Sequence, residues 1–325
     1  MSRRPTNLKP FFALWLPVGI LAGVVLVAAL TVLRAWWVAP DRVEVDLSEM
    51  RPVKPPTPEE GELLRVAVAT MLTPTSNFGS YQKIIDYLGS RLELPTKMVQ
   101  RSTYAEVNAL LASGEVDLAF VCSGAYVALR AKGSAELLVV PVVDGATTYQ
   151  SWVIVRPGLQ ARSFEDLRGH SFAFTDPLSN SGYYFPVWRT LQLAEDPESF
   201  FEATTFTHIH EKSIEMVAEG VVDAAAVDHL VFEGLVKQRP ELEVRVRIIE
   251  RSPPFGIPPV VVRSGLDPDL REELRGLLLE IHRGGAGREA MAALGFERFV
   301  PGRDADYDSV EAMWADLSEL GEGIR

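Results

Sequence analysis

TKMVQRSTYAEVNALLASGEVDLAFV, residues 96–121, reads as strand, helix and strand in immediate succession. Residues 96–100 (TKMVQ) are the first strand. Residues 103–112 (TYAEVNALLA) are the helix, because Thr103 followed three positions later by Glu106 makes a capping box. In that pattern the hydroxyl accepts from a first-turn N–H, and the carboxylate reaches back to the cap. Gly114 ends the helix, and Val116 to Val121 form the next strand. Upstream, residues 63–69 (LLRVAVA) read as a buried strand. Residues 81–92 place apolar side chains at 81, 84, 85, 88 and 92, which is one helical face. A β-α-β-α-β order implies a parallel sheet with helices on both faces.

The alternation continues. Strands are expected at 137–143 and 149–156, then a helix at 163–168 with Ser163 as its cap and Glu165 and Asp166 in its first turn. A strand at 171–175, a helix from about 181, a helix at 212–219 and a strand at 222–227 form a second α/β series. Strands at 245–250 and 259–263 lead back, and the C-terminal part is helical over 268–282, 287–294 and 307–319. Two doubly wound α/β lobes in series, with late strands returning to the first, are a bilobal architecture. Lobe 1 is residues 63–148 plus 252–325, and lobe 2 is 149–251. Ligands in such sheets bind beyond the strand carboxyl ends, and two lobes can turn those ends toward one cleft. Two independent domains, or a doubly wound enzyme, fit the same pattern.

Residues 10–33 carry no charge. At ~1.5 Å per residue a helix of that length crosses a ~30 Å hydrocarbon core. Arg3, Arg4 and Lys9 precede it, and Asp41, Glu44, Asp46 and Glu49 come after. The positive-inside rule then puts residues 1–9 in the cytoplasm, a transmembrane anchor at 10–38, and the body outside. Trp36 and Trp37 suit the outer interface. Residues 39–62, with Pro40, Pro52, Pro55, Pro56 and Pro58, form an extended tether. The expected location is the inner membrane, single-pass, with the body in the periplasm. A cleaved signal peptide is the alternative, although its apolar core would usually be ~7–15 residues.

The 325 residues carry a formal net charge of −12. That argues against nucleic-acid binding, which needs clustered basic side chains. It does not argue against an anion site, since a helix N-terminus binds anions without Lys or Arg. A single cysteine, Cys122, allows no intrachain disulfide, and no Cys/His cluster suggests a metal or other cofactor. There is no Walker loop, no G-x-S-x-G elbow and no zinc motif to suggest an enzyme. A monomeric soluble body is the default.

The chemistry concentrates in SFAFTDPLSNSGYYFP, residues 171–186. The strand ends at Thr175, Asp176-Pro177 turns the chain, and Ser179-Asn180-Ser181-Gly182 opens a helix. Hydroxyls, an amide and unpaired N–H groups at a helix start favour an anion, and the glycine lets it approach the backbone. The same residues would also make an ordinary N-cap. His210 stands just before the next helix and can donate a ring N–H. His208, two positions earlier on a strand-like segment, would point the same way. Asp228 follows the apolar strand 224–227 and, beside an anion, would repel unless the ligand offers a proton. Ser123 and Tyr126 follow the strand 116–121 and can add hydroxyls.

Four segments together resemble the phosphate/phosphite/phosphonate ABC-transporter substrate-binding family: TYAEVNALLASGEVDLAFVCSGAY (103–126), FAFTDPLSNSGY (172–183), HEKSIEMVAEGVVDAAAVD (210–228) and RSPPFGIPPVVVR (251–263). The resemblance implies a type 2 periplasmic-binding fold with the ligand between the lobes. The family's phosphoryl turn, roughly D-P-x-S-[TN]-[ST]-G, falls on Asp176 to Gly182 and makes Ser179, Asn180 and Ser181 ligand contacts. The family histidine falls on His210 and the strand-end carboxylate on Asp228. Members that grip an aminoalkyl phosphonate carry a further acid just beyond that strand, where this chain has His229 and Leu230. The resemblance therefore implies phosphate, phosphite or a small alkyl phosphonate, delivered to an ABC permease and ATPase. The membrane anchor, unusual for the family, leaves a second role open: a tethered sensory subunit signalling to a membrane partner such as a kinase.

Overall fold

The computed structural model describes residues 63–69 and 74–323. The expected anchor and the whole of the expected tether lie outside the described residues. Among the described residues no helix is long and apolar enough to cross a membrane.

The first α/β series forms as expected. β1 (Leu64–Ala69), β2 (Thr96–Arg101) and β3 (Leu118–Phe120) alternate with helices Pro74–Leu92 and Tyr104–Ala112. The capping box is made in both directions: Thr103 Oγ1 accepts from Glu106 N at 3.3 Å, and Thr103 N donates to Glu106 Oε2 at 2.9 Å. Gly114 takes φ +75°, a left-handed backbone that closes the helix without a Cβ penalty. Helix Pro74–Leu92 starts seven residues before the expected Tyr81. Its opening, PTSNFGS, reads as a turn by composition, yet a leading proline suits a first helical position. Helix Ser123–Ala131 had no sequence signal. Its residues Ser123 to Leu129 are all buried, so no polar face marks a helical period.

Strands β4 (Ala135–Val142), β5 (Thr148–Tyr149), β6 (Ser151–Val155), β7 (Ser171–Phe174), β8 (Ala203–Phe206) and β9 (Ala224–Asp228) follow. β10 (Arg247–Arg251), β11 (Phe255–Gly256), β12 (Val260–Arg263) and β13 (Arg298–Pro301) complete the set. The first sheet has the order β13-β4-β12-β3-β1-β2 and the second β10-β6-β9-β7-β8. β2, β1 and β3 are parallel, as are β9, β7 and β8. The later strands β12 and β10 join antiparallel. The chain leaves the first sheet through β5 and returns through β11, and these two crossing segments pair, Phe255 opposite Tyr149. Two sheets joined by a paired double crossing are a bilobal α/β fold.

One local expectation fails. Ser163 does not cap a helix. The segment is a single 3-10 turn, Glu165–Leu167, in which Asp166 Oδ2 accepts from Arg162 N at 2.7 Å and Ser163 N at 3.1 Å. The carboxylate, with two oxygens, displaces the hydroxyl from the capping role.

One hydrophobic cluster contains Ala67, Tyr104 and Val121 from the first lobe together with Phe172, Phe185 and Phe200 from the second. The two series share a core and are not independent domains. The C-terminal helix Asp308–Gly323 packs on both Ser123–Ala131 and Phe185–Gln192, and Trp188 Nε1 donates to Asp316 Oδ2 at 3.2 Å.

Candidate functional site

β7 ends at Phe174, and the chain turns through Asp176-Pro177 into a π-helical turn, Asn180–Tyr184, that runs on as helix Phe185–Gln192. Three bonds shape this turn. Asp176 Oδ1 accepts from Leu178 N at 2.8 Å, Ser179 Oγ accepts from Gly182 N at 3.0 Å, and Gly182 O accepts from Thr175 N at 3.1 Å. Gly182 is required by contact: a Cβ there would collide with Thr175 Oγ1 and lie 2.5 Å from its Cβ. Ser179 is thus the cap, and its hydroxyl is engaged. Asp176 Oδ2 also accepts from Tyr104 N at 3.2 Å, which fixes the start of helix Tyr104–Ala112 against the turn.

Asn180 and Ser181 are fully buried. Asn180 Nδ2 donates to Tyr149 Oη at 3.0 Å, while Asn180 Oδ1 and Ser181 Oγ have no hydrogen-bond partner among the described residues. The hydroxyls of Tyr104 and Tyr184 are buried and likewise unpartnered among the described residues. Buried polar atoms are nearly always paired, so four orphans on and beside one turn demand an explanation. Burial holds the Tyr104 and Tyr184 phenols well above their ordinary pKa, so both remain O–H donors.

His210 is the first residue of helix His210–Ala218 rather than the residue before it, and it is buried. Its Nδ1 accepts from Asp228 N at 3.2 Å, and Thr175 Oγ1 lies 3.2 Å away. A backbone N–H can only donate, so Nδ1 is bare and the neutral ring carries its proton on Nε2. Burial lowers the His210 pKa to about 3, so the ring is neutral at physiological pH. His210 is a fixed N–H donor, not a cation.

Asp228 ends β9 and caps helix His229–Gln238, its Oδ1 accepting from Leu230 N at 2.8 Å. It is 4% exposed, and burial, with a smaller push from Glu233, raises its pKa to about 7. Near neutrality it can offer either an oxygen or an O–H.

The remaining expected residues lie differently. Ser123 Oγ donates to Gly256 O at 2.7 Å, on the crossing strand. The Tyr126 hydroxyl donates to the Asp304 carboxylate, and its ring packs on Tyr307. Both hydroxyl protons are donated within the protein, and the helix start is tightly packed on the turn: at Gly124 a Cβ would lie 2.8 Å from the Tyr184 ring and 3.0 Å from Asn180 N. His208 is not in a strand. It adopts φ +60°, its side chain is half exposed, and its Nδ1 is 3.5 Å from Asp176 Oδ2, so it does not align with His210. Among the described residues no group of three or more possible metal ligands occurs. Cys122 is buried, with its pKa pushed up to about 11 by burial.

Sequence reasoning missed Tyr104, Tyr149 and Tyr184. Tyr184 lies within the segment read for chemistry and Tyr104 at the start of the capped helix, but nothing in the pattern separates a tyrosine that packs from one whose hydroxyl meets a site. It also missed a cavity of about 430 Å³ that reaches the expected set only at Asp228 and has Tyr81, Phe120, Leu230, Glu233 and Ile257 in its wall.

A donor-rich, buried helix start between two sheets joined by a double crossing defines a solute-binding protein of the bilobal class. The family model described as ABC transporter, phosphonate, periplasmic substrate-binding protein matches residues 66–307. The phosphate-import protein PhnD of Mycolicibacterium smegmatis is 26% identical over 255 residues, spanning 71% of this chain and 78% of that one. Among solved structures, a binding-protein component of an ABC phosphonate transporter from Pseudomonas aeruginosa superposes with TM-score 0.73 at 20% identity, over 78% of this chain and 85% of its own. A PhnD1 protein of Prochlorococcus marinus in complex with methylphosphonate also gives TM-score 0.73, at 17% identity, over 79% of this chain and 98% of its own. The chain belongs to the phosphonate family of ABC-transporter periplasmic substrate-binding proteins.

Proposed function

We propose that this binding protein captures a tetrahedral phosphorus oxyanion at the turn 179–184 and carries it to its ABC permease and ATPase. The observation that carries the reading is the set of orphaned buried atoms. Ser181 Oγ, Tyr104 Oη and Tyr184 Oη are unpartnered donors among the described residues, the neutral His210 ring offers its Nε2–H beside them, and the turn is a helix start. Such an array binds an anion through oriented dipoles. Asn180 Oδ1 and Asp228 supply acceptors for a P–OH, which sulfate lacks at neutral pH. The phosphate-import and methylphosphonate-bound relatives support the same ligand class. The two lobes are residues 63–148 with 252–325, and 149–251. Residues 10–38 anchor the body to the inner membrane through the tether 39–62, with the body on the periplasmic side.

The test is calorimetric titration of the full chain in detergent with phosphate, phosphite, methylphosphonate and sulfate. One or more phosphorus oxyanions should bind and sulfate should not. Tyr104→Phe sharpens it. Removing an orphaned buried hydroxyl should raise the ligand-free thermal midpoint while lowering affinity about tenfold, ~1.4 kcal/mol. A purely structural tyrosine would leave affinity unchanged, and that result would remove Tyr104 from the site.

A further inference from the structure

Asp228 faces two places. Its backbone N–H is held by His210 beside the phosphoryl turn, and the residue is part of the lining of the cavity of about 430 Å³. That volume lies in the range of sites for drug-sized ligands, ~300–1,000 Å³. A methyl group or a bare oxygen on phosphorus would fill little of it. Tyr81, Phe120, Ile257 and Phe296 give the cavity an apolar, aromatic wall, with the Tyr81 ring edge-on to Phe120 at 4.9 Å. Tyr81 is only 6% exposed, yet its hydroxyl has no hydrogen-bond partner among the described residues. Glu233 lies along the helix that Asp228 caps and makes no ion pair among the described residues. Asp144 adds a further carboxylate to the lining, against Lys237 as its single basic residue among the described residues. The lining is therefore aromatic and negative, which is the chemistry that holds a bulky cation: ring faces attract it, and a quaternary ammonium needs no hydrogen-bond acceptors.

We propose that this cleft is a second subsite, for the substituent on phosphorus, and that it takes a quaternary ammonium group joined by a short linker to the phosphoryl head. The apolar arms lie against Tyr81, Phe120 and Phe296, and the charge faces Asp228 and Glu233. This rests on the turn 179–184 being the phosphoryl site. It also revises the ligand expectation drawn from His229 and Leu230: the acid absent directly after the strand is supplied one helical turn later, by Glu233.

The experiment titrates the full chain in detergent with methylphosphonate, phosphocholine and 3,3-dimethylbutyl phosphate, the isostere of phosphocholine in which a neutral carbon replaces the cationic nitrogen. Phosphocholine should bind about tenfold more tightly than either of the others. Glu233→Gln should shrink the ratio of phosphocholine to methylphosphonate affinity toward one, while Ser181→Ala should weaken both ligands together. Equal binding of phosphocholine and its isostere, tighter binding of methylphosphonate, or an unchanged ratio in Glu233→Gln would overturn the cationic subsite and leave the phosphoryl site standing. No binding by any of the three, with phosphate or phosphite still bound, would overturn the substituent subsite alone; no binding by these or by phosphate and phosphite would overturn both.

Discussion

Asp228→Asn isolates one buried carboxyl. The wild-type group has its pKa raised to about 7 by burial, against an ordinary value of 3.8. Its folded-state pKa is therefore above the unfolded one. Below pH 4 both states are protonated and the group is neutral toward stability. Between pH 4 and 7 the unfolded chain ionises while the folded one resists, so the folded state loses about 1.4 kcal/mol per pH unit relative to the unfolded chain. By pH 8 the accumulated cost is about 4 kcal/mol, an upper value because structural relaxation relieves part of it. Asparagine is neutral throughout and keeps the cap to Leu230 N, since Asn and Asp cap equally well. The variant should match the wild type near pH 4 and become progressively more stable up to pH 7, with no further gain above it. Thermal melts of ligand-free protein from pH 4 to 8 read this directly, at ~2–4 °C per kcal/mol for a body of this size. The burial of His210 is common to both proteins and cancels in the difference. A difference in midpoint that stays flat across the range, or a variant less stable at pH 8, would refute the argument that Asp228 is a strained carboxylate awaiting a ligand's proton.

Two further outcomes follow from the same geometry. His210 has its pKa lowered to about 3 by burial, so its neutral form contributes stability that is complete above its ordinary 6.5 and is lost as pH falls toward 3. Urea unfolding of His210→Gln should show a shallower loss between pH 6.5 and 4 than the wild type, and an identical slope would mean that the ring is solvated. Gly182→Ala forces a methyl into Thr175, so it should destabilise the protein by about 1–3 kcal/mol and weaken phosphorus-oxyanion binding; unchanged urea midpoint and affinity would show that the turn is not packed against the strand end.

The orphaned atoms link stability to function. A ligand-free protein that buries Ser181 Oγ, Tyr104 Oη and Tyr184 Oη without partners bears a desolvation cost of about 1–3 kcal/mol for each. A ligand that satisfies them recovers that cost on binding. Mutations that stabilise the free protein at these positions are therefore expected to weaken capture, as Tyr104→Phe tests.

Local signals in the chain were sufficient for the first α/β series, for the capping box at Thr103 and Glu106, and for the turn from Asp176 to Gly182. Each depends on neighbours within a few residues, so spacing alone determines it. The strand that ends in Asp228 and the helix that begins near His210 were legible for the same reason. Pairing was decided elsewhere. Only the folded chain puts Asp228 N on His210 Nδ1, across 18 positions, and so assigns the proton to Nε2. Only the fold pairs Ser123 with Gly256 and Tyr126 with Asp304, and brings Tyr104 to the turn at Asp176. The cavity that joins Tyr81, Glu233 and Phe296 is likewise assembled from segments far apart in the chain. A hydrogen bond requires an approach of about 3 Å, and residues distant in sequence reach it only when tertiary packing brings their backbones together.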